Sequence, residues 1–168
     1  PVHSCLMVDS RDKALAFPRG DLQLGFCRSC GFIQNNLYEP ERQNYSPDYE
    51  ETQAFSPRFM KLVAEICDDQ NAKYDLDGKS ALEIGCGKGE FLMALCERTG
   101  CTGIGIDPGF RPERVPDHLK GRIEFIQDFY GPAYKHLAAD YVCCRHTLEH
   151  IGPVGTFMHL VRESIGDR

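Results

Sequence analysis

Residues 82–92 read Leu82-Glu83-Ile84-Gly85-Cys86-Gly87-Lys88-Gly89-Glu90-Phe91-Leu92. An apolar run leads into glycines at every second position, and apolar residues resume at helical spacing directly afterwards. The backbone has to turn sharply between strand and helix, and glycine does so at little steric cost. Glycines also let a ligand approach the main chain, while free amides at the start of the helix favour a carboxylate or phosphate. A dinucleotide-binding GxGxxG loop needs its third glycine at position 90, where this chain has Glu90. A nicotinamide-dependent oxidoreductase is therefore only a minor rival.

On either side of this loop, short apolar strands alternate with helical segments from Lys79 onward: SALEI, EFLMALCER, TGIGI, RIEFI, DYVCC, and a helix from about Pro153 to Ile165 that Gly166 ends. That rhythm predicts an α/β fold with a Rossmann-like, partial sheet of about four parallel strands. Sheets of this kind usually carry five or more strands, so an early stop and an exposed edge at the fourth strand are expected, met by a homodimer or a further domain. Upstream, Ser56-Pro57 reads as an N-cap and first helical position, with Phe59, Leu62, Val63, Ile66 and Cys67 on one face. The expected organisation is a small module over 1–48, a linker and helix over 49–78, and the α/β core over 79–168.

Asp107 closes the strand GIGID, 22 residues after Gly85, where an acid can accept both hydroxyls of a ribose. Taken singly, glycine loops occur in many α/β turns and acids at strand ends often cap helices. The ordered set carries more weight than either. Glu83-Ile84-Gly85-Cys86-Gly87-Lys88-Gly89 reads ExGxGxG and resembles motif I of the class I S-adenosylmethionine-dependent methyltransferases. The resemblance implies that Gly85, Cys86, Gly87 and Gly89 line the cofactor, with Glu83 near the methionine amino group and Asp107 on the ribose. It also puts Asp128, after the strand RIEFI, beside the adenine.

The segment DYVCCRHTLEHI, residues 140–151, reads as a buried strand spilling Arg145, His146, Thr147, Glu149 and His150 into a loop. Ligands bind beyond the carboxyl ends of such strands. By resemblance this is motif IV, beside the transferable methyl group. Methylation at carbon needs an aligned nucleophile and a base, which His150 could supply with Glu149 orienting it and His146 as a further candidate. The competing reading has these histidines capping element ends. Cys143 and Cys144 are expected simply to pack in the sheet, and Arg145 to meet an anion or a helix end.

Near the front, Cys27-Arg28-Ser29-Cys30-Gly31 is a CxxCG turn that aims two thiolates at one point, half of a zinc site. The upstream candidates for the other ligands are His3 and Cys5, separated by one residue rather than the usual two. Free thiols under a loop are the alternative. The stretches PVHSCLM, PRGDLQLGFCRSCGFIQN and YEETQAFSPRF resemble the zinc-binding domain that precedes the core in a methyltransferase family including deoxysugar C-methyltransferases. That family carries a further CxxC pair upstream and continues past motif IV, so both ends of this chain are expected to be clipped. Its tyrosine-bearing linker implies that Tyr45 and Tyr49 reach over the substrate, unless they only pack the linker.

Composition narrows the function classes. The chain has 168 residues, 42% hydrophobic and 26% charged, which fits one ordinary folded domain with a small appendage and excludes fibrous or disordered classes. No apolar stretch approaches a membrane span. Nineteen basic against 25 acidic residues give a net charge of -6 with no basic stripe, so nucleic acid is not an expected partner. Nine scattered cysteines, an odd number, fit reduced thiols in the cytoplasm. The expected protein is an S-adenosylmethionine-dependent C-methyltransferase of a small molecule such as a nucleotide-linked sugar. The alternatives are O- or N-methylation, or a non-catalytic module that binds cofactor or zinc.

Overall fold

In the computed structural model, which describes residues 8–42 and 50–166, the chain divides into two units, Pro1–Glu50 and Glu51–Arg168. The first holds a short helix α1 (Arg11–Leu15), whose N-cap Ser10 accepts a hydrogen bond from Lys13 N–H through its hydroxyl. Strands β1 (Leu24–Phe26) and β2 (Ile33–Asn35) pair antiparallel, and a 3-10 turn follows at Pro40–Arg42. The sequence shows no period here because the strands are three residues long and bury neither face.

The second unit opens with α2 (Pro57–Tyr74), capped by the Ser56 hydroxyl accepting from Phe59 N–H at 3.3 Å. Val63 and Cys67 are buried, with Phe59 and Ile66 packed beside them. Leu62, expected on the same face, instead stands 50% exposed at the margin of the apolar stripe. Then come β3 (Ser80–Ile84), α3 (Glu90–Thr99), β4 (Thr102–Ile106), β5 (Ile123–Ile126), β6 (Tyr141–Cys143) and α4 (Val154–Ile165). Pro153 occupies the N-cap of α4 rather than its first turn, and Gly166 is the C-cap.

The four core strands are parallel in the order β5-β4-β3-β6. Strand alternation sorts their side chains onto two faces. Ala81, Tyr141 and Cys143 join α2 and α3 in one apolar cluster, and Leu82, Ile84, Val142 and Cys144 join α4 in the other. Cys143, the last residue of β6, and Cys144, just past it, thus pack on opposite faces of the sheet. β3 lies inside the sheet and its carboxyl end feeds the glycine loop, whereas β6 forms an edge. Among the described residues, no helix is long and apolar enough to cross a membrane.

Gly105 shows how closely the loop's surroundings are packed. A Cβ there would fall 2.6 Å from the Phe125 ring and 2.9 Å from Cys86 Sγ, while Phe125 itself stacks on Phe110 at 4.1 Å. Gly105→Val is expected to cost about 3 kcal/mol through overpacking, measured as a fall in the urea midpoint. Gly155 in α4 has open space around its Cβ position. Gly155→Ala should therefore stabilise by up to about 1 kcal/mol.

Candidate cofactor site

Gly85, Gly87 and Gly89 all have positive φ, at 72°, 56° and 82°. Other groups also crowd the Cβ positions of all three, at Gly89 the Phe125 ring at 2.6 Å. A Cβ on Gly85 would collide with Thr147, whose hydroxyl lies 3.2 Å from Gly85 O and 2.9 Å from Arg145 O. A Cβ on Gly87 would fall 2.5 Å from Glu51 Oε1.

Asp107 fastens this loop. Its Oδ2 accepts from Gly87 N–H at 2.9 Å and its Oδ1 from Gly109 N–H at 2.7 Å. A carboxylate offers about four lone-pair sites, so each oxygen keeps capacity for one hydroxyl. Lys88, with its side chain fully buried, donates to Gly109 O at 2.6 Å and lies 3.6 Å from Glu51 Oε2. Beside it, Thr52 bonds Glu90 at the start of α3, and Arg114 reaches both.

Glu83 lies beneath the loop, 3% exposed. Leu92 N–H, in the first turn of α3, donates to its carboxyl group, but Oε2 has no hydrogen-bond partner among the described residues. Burial pushes its pKa up to about 8 against the lowering effect of Arg145. Arg145, just past β6, places its guanidinium 3.8 Å from the centroid of the Phe91 ring. Burial also drives the thiol of Cys86, in the middle of the loop, well above its ordinary range.

The other expected site residues are less enclosed. Asp128 is exposed, accepting from Phe129 N–H at 2.7 Å and from the Tyr134 hydroxyl at 2.6 Å, and the Tyr134 contact holds its carboxyl below the ordinary range. His146 is exposed and adopts a left-handed φ of 50°, which turns the chain sharply off β6. Glu149 and His150 sit in the 3-10 turn Leu148–His150, the glutamate exposed and the histidine half-buried. The parallel register thus brings Glu83, the glycine loop, Asp107 and the Arg145–His150 turn to the carboxyl edge of one sheet.

In the front unit, Cys27 and Cys30 are exposed, and backbone N–H groups of Cys30 and Ser29 bonded to the Cys27 sulfur lower its pKa. Gly31 closes the turn at φ 77°, its N–H donating to Cys27 O at 2.9 Å. Among the described residues, no group of three or more His, Cys, Asp or Glu is placed to hold a metal. His3, Cys5, Tyr45 and Tyr49 lie outside the described residues. Of the four residues expected to hold zinc, Cys27 and Cys30 alone lie among the described residues.

Sequence reading missed Glu51 and Lys88 as parts of the site, and it put Thr147 in the loop after the fourth strand without its contact with the glycine loop. Lys88 carried the one available signal, a lysine inside a glycine loop. Glu51 gave none, and the contact of Thr147 with Gly85 was not legible, because both depend on long-range contacts.

A parallel sheet with a glycine loop and a clamped acid at its carboxyl edge defines a nucleotide-cofactor-binding α/β domain. The methyltransferase domain family matches residues 53–167, and the chain belongs to that family. Solved structures similar to it include a SAM-dependent methyltransferase from Thiobacillus denitrificans in complex with S-adenosyl-L-homocysteine. That protein is 22% identical, with 66% of this chain and 52% of that chain covered at a TM-score of 0.45. This chain thus spans about half of that protein's length. No curated protein matches the chain.

Proposed function

We propose that the core holds S-adenosylmethionine at the glycine loop and serves transfer of its methyl group to a small-molecule acceptor, leaving S-adenosylhomocysteine. The observation that carries this reading is the Asp107 carboxylate, which binds the second glycine of the loop and keeps lone pairs for a ribose. The unpartnered oxygen of Glu83 fits an ammonium, and the left-handed turns at Gly85 and Gly87, at the carboxyl edge of the sheet, fit a loop that wraps a cofactor. When bound, the cofactor supplies an electrophilic methyl group on a sulfonium. His150, with Glu149 and His146, is the candidate to hold or remove the acceptor's proton, and Asp128 to meet the adenine amine.

Carbon methylation of a nucleotide-linked sugar is the finer reading. Its support is the order of cysteine turn, tyrosine linker, helix and glycine loop, which resembles the deoxysugar C-methyltransferases. Free cysteines fit work in the reducing cytoplasm. The exposed edge at β6 fits a homodimer. Titration of S-adenosylhomocysteine into the folded protein by calorimetry tests the core of this reading, and a folded protein that takes up no heat of binding would end it.

A structural zinc in the front unit is favoured by one feature, the backbone N–H groups turned onto the Cys27 sulfur. Such bonds stabilise a thiolate, the form that binds metal. Purified protein should carry close to one zinc per chain by atomic emission, and Cys27→Ser should lose it. A metal-free wild type would leave the turn as two free thiols.

A further inference from the structure

Cys96, in the last turn of α3, and Cys101, which leads into β4, bring their sulfurs to 3.4 Å, and neither residue is exposed. The arrangement is held from three sides. Arg122, just before β5, donates to the carbonyl oxygens of both Cys96 and Cys101 and so fixes the two backbone segments against each other. Gly100, at a left-handed φ of 83°, ends the helix between them, its N–H donating to Cys96 O at 3.1 Å. Gly103 on β4 backs the Cys96 sulfur so closely that a Cβ there would lie 2.9 Å from it.

Burial ordinarily leaves a thiol protonated and inert, and it pushes Cys67, Cys86 and Cys143 up. Cys101 departs from that pattern. A hydrogen bond from Cys96 holds its thiol below the ordinary range in spite of burial, with Thr99 and the charge of Arg122 acting in the same direction. The second sulfur stands at the about 3–3.5 Å of a near-attack arrangement. A nucleophile and a resolving group are thus already paired. The cofactor reading makes no use of this pair, which sits at the amino end of β4, opposite the end that meets the glycine loop.

We propose that Cys96 and Cys101 form a redox-modification site, which hydrogen peroxide converts to a disulfide and a cellular dithiol restores. The Cys101 sulfur attacks one peroxide oxygen, the O–O bond breaks, and the departing hydroxide takes the proton that Cys101 gave up, forming water. The Cys96 sulfur then attacks the resulting sulfenic sulfur, the S–O bond breaks, and the second hydroxide leaves as water with the Cys96 proton. The two thiols lose two electrons and two protons in all, and the peroxide gains them. A dithiol reverses the change by exchange through a mixed disulfide and itself ends as a disulfide. Glu97, Arg98, Gly100 and Thr102 around the pair are exposed, so loosening of the helix end alone admits a molecule as small as peroxide.

The test treats the folded protein with hydrogen peroxide, unfolds it with N-ethylmaleimide present to block remaining thiols, and maps it by trypsin and mass spectrometry. Arg98 lies between the two cysteines, so cleavage leaves two peptides that stay joined only through a Cys96–Cys101 bond. The expected result is this joined pair in most molecules, absent before peroxide and lost again on dithiothreitol, while circular dichroism keeps its native form. Recovery of both cysteines as maleimide adducts after treatment would overturn the proposal and leave them packing thiols. A link to any other cysteine, Cys101 carried to sulfinic acid with Cys96 free, or a bond that appears only as the fold is lost would overturn it equally.

Discussion

Asp107→Ala is expected to lower the affinity for S-adenosylhomocysteine by two to three powers of ten. The aspartate has two tasks at once: it presents charged acceptors to the ribose, and it fixes Gly87 and Gly109 through their N–H groups. Hydrogen bonds to a charged group contribute about 1.5–3 kcal/mol each, so losing two to a ribose accounts for most of the effect. Loosening of the loop adds to it. Asp107→Asn should be intermediate on binding but harder on the loop, since an amide nitrogen cannot accept from a backbone N–H. Calorimetry on all three proteins checks this, with thermal unfolding separating loop damage from loss of fold. An alanine variant that binds like the wild type would remove Asp107 from the site.

Glu83 gives the second large effect, a dependence of stability on pH. Its pKa in the fold, about 8, lies above its ordinary value of 4.5 because burial disfavours the charged form. Between those two values the native state holds a proton that the unfolded chain has released, so this group's contribution to stability falls as pH rises. The fall is complete above about pH 8 and amounts to a few kcal/mol. Glu83→Gln cannot ionise and should lose this slope, becoming more stable than the wild type at pH 9 while binding S-adenosylhomocysteine less well. Asp68, Asp128 and Asp140 are shifted the other way, by Arg98, Tyr134 and Ser80 respectively, and act only near the acid end. Urea midpoints from pH 5 to 9 for both proteins isolate Glu83 in their difference, and parallel curves would contradict it.

The core was accessible to sequence reading because its signals are local. SALEI and TGIGI are short, largely apolar runs, and they form β3 and β4 over those same residues. Ser56-Pro57 starts a helix because a hydroxyl and a proline satisfy the same free amide end in any context. Leu62 shows the limit, since a helical period gives a face but not the width of what covers it. The hairpin around Cys27 and Cys30 escaped notice for want of any buried face. At the site, the glycines and Asp107 could be listed from spacing. What could not be read was how they are held, because Glu51, Lys88, Arg145 and Thr147 act on groups tens of residues away.

The buried ammonium of Lys88 has a consequence for how this region opens. It joins the segment at Glu51, the glycine loop in which it sits, and the turn at Gly109. Withdrawal of either partner leaves a charge in the interior with part of its compensation gone, which is costly. The segments therefore gain by loosening together rather than one by one, as a single cooperative unit. Backbone amides in all of them should then exchange with solvent at a common rate, and a ligand that quiets one should quiet the rest.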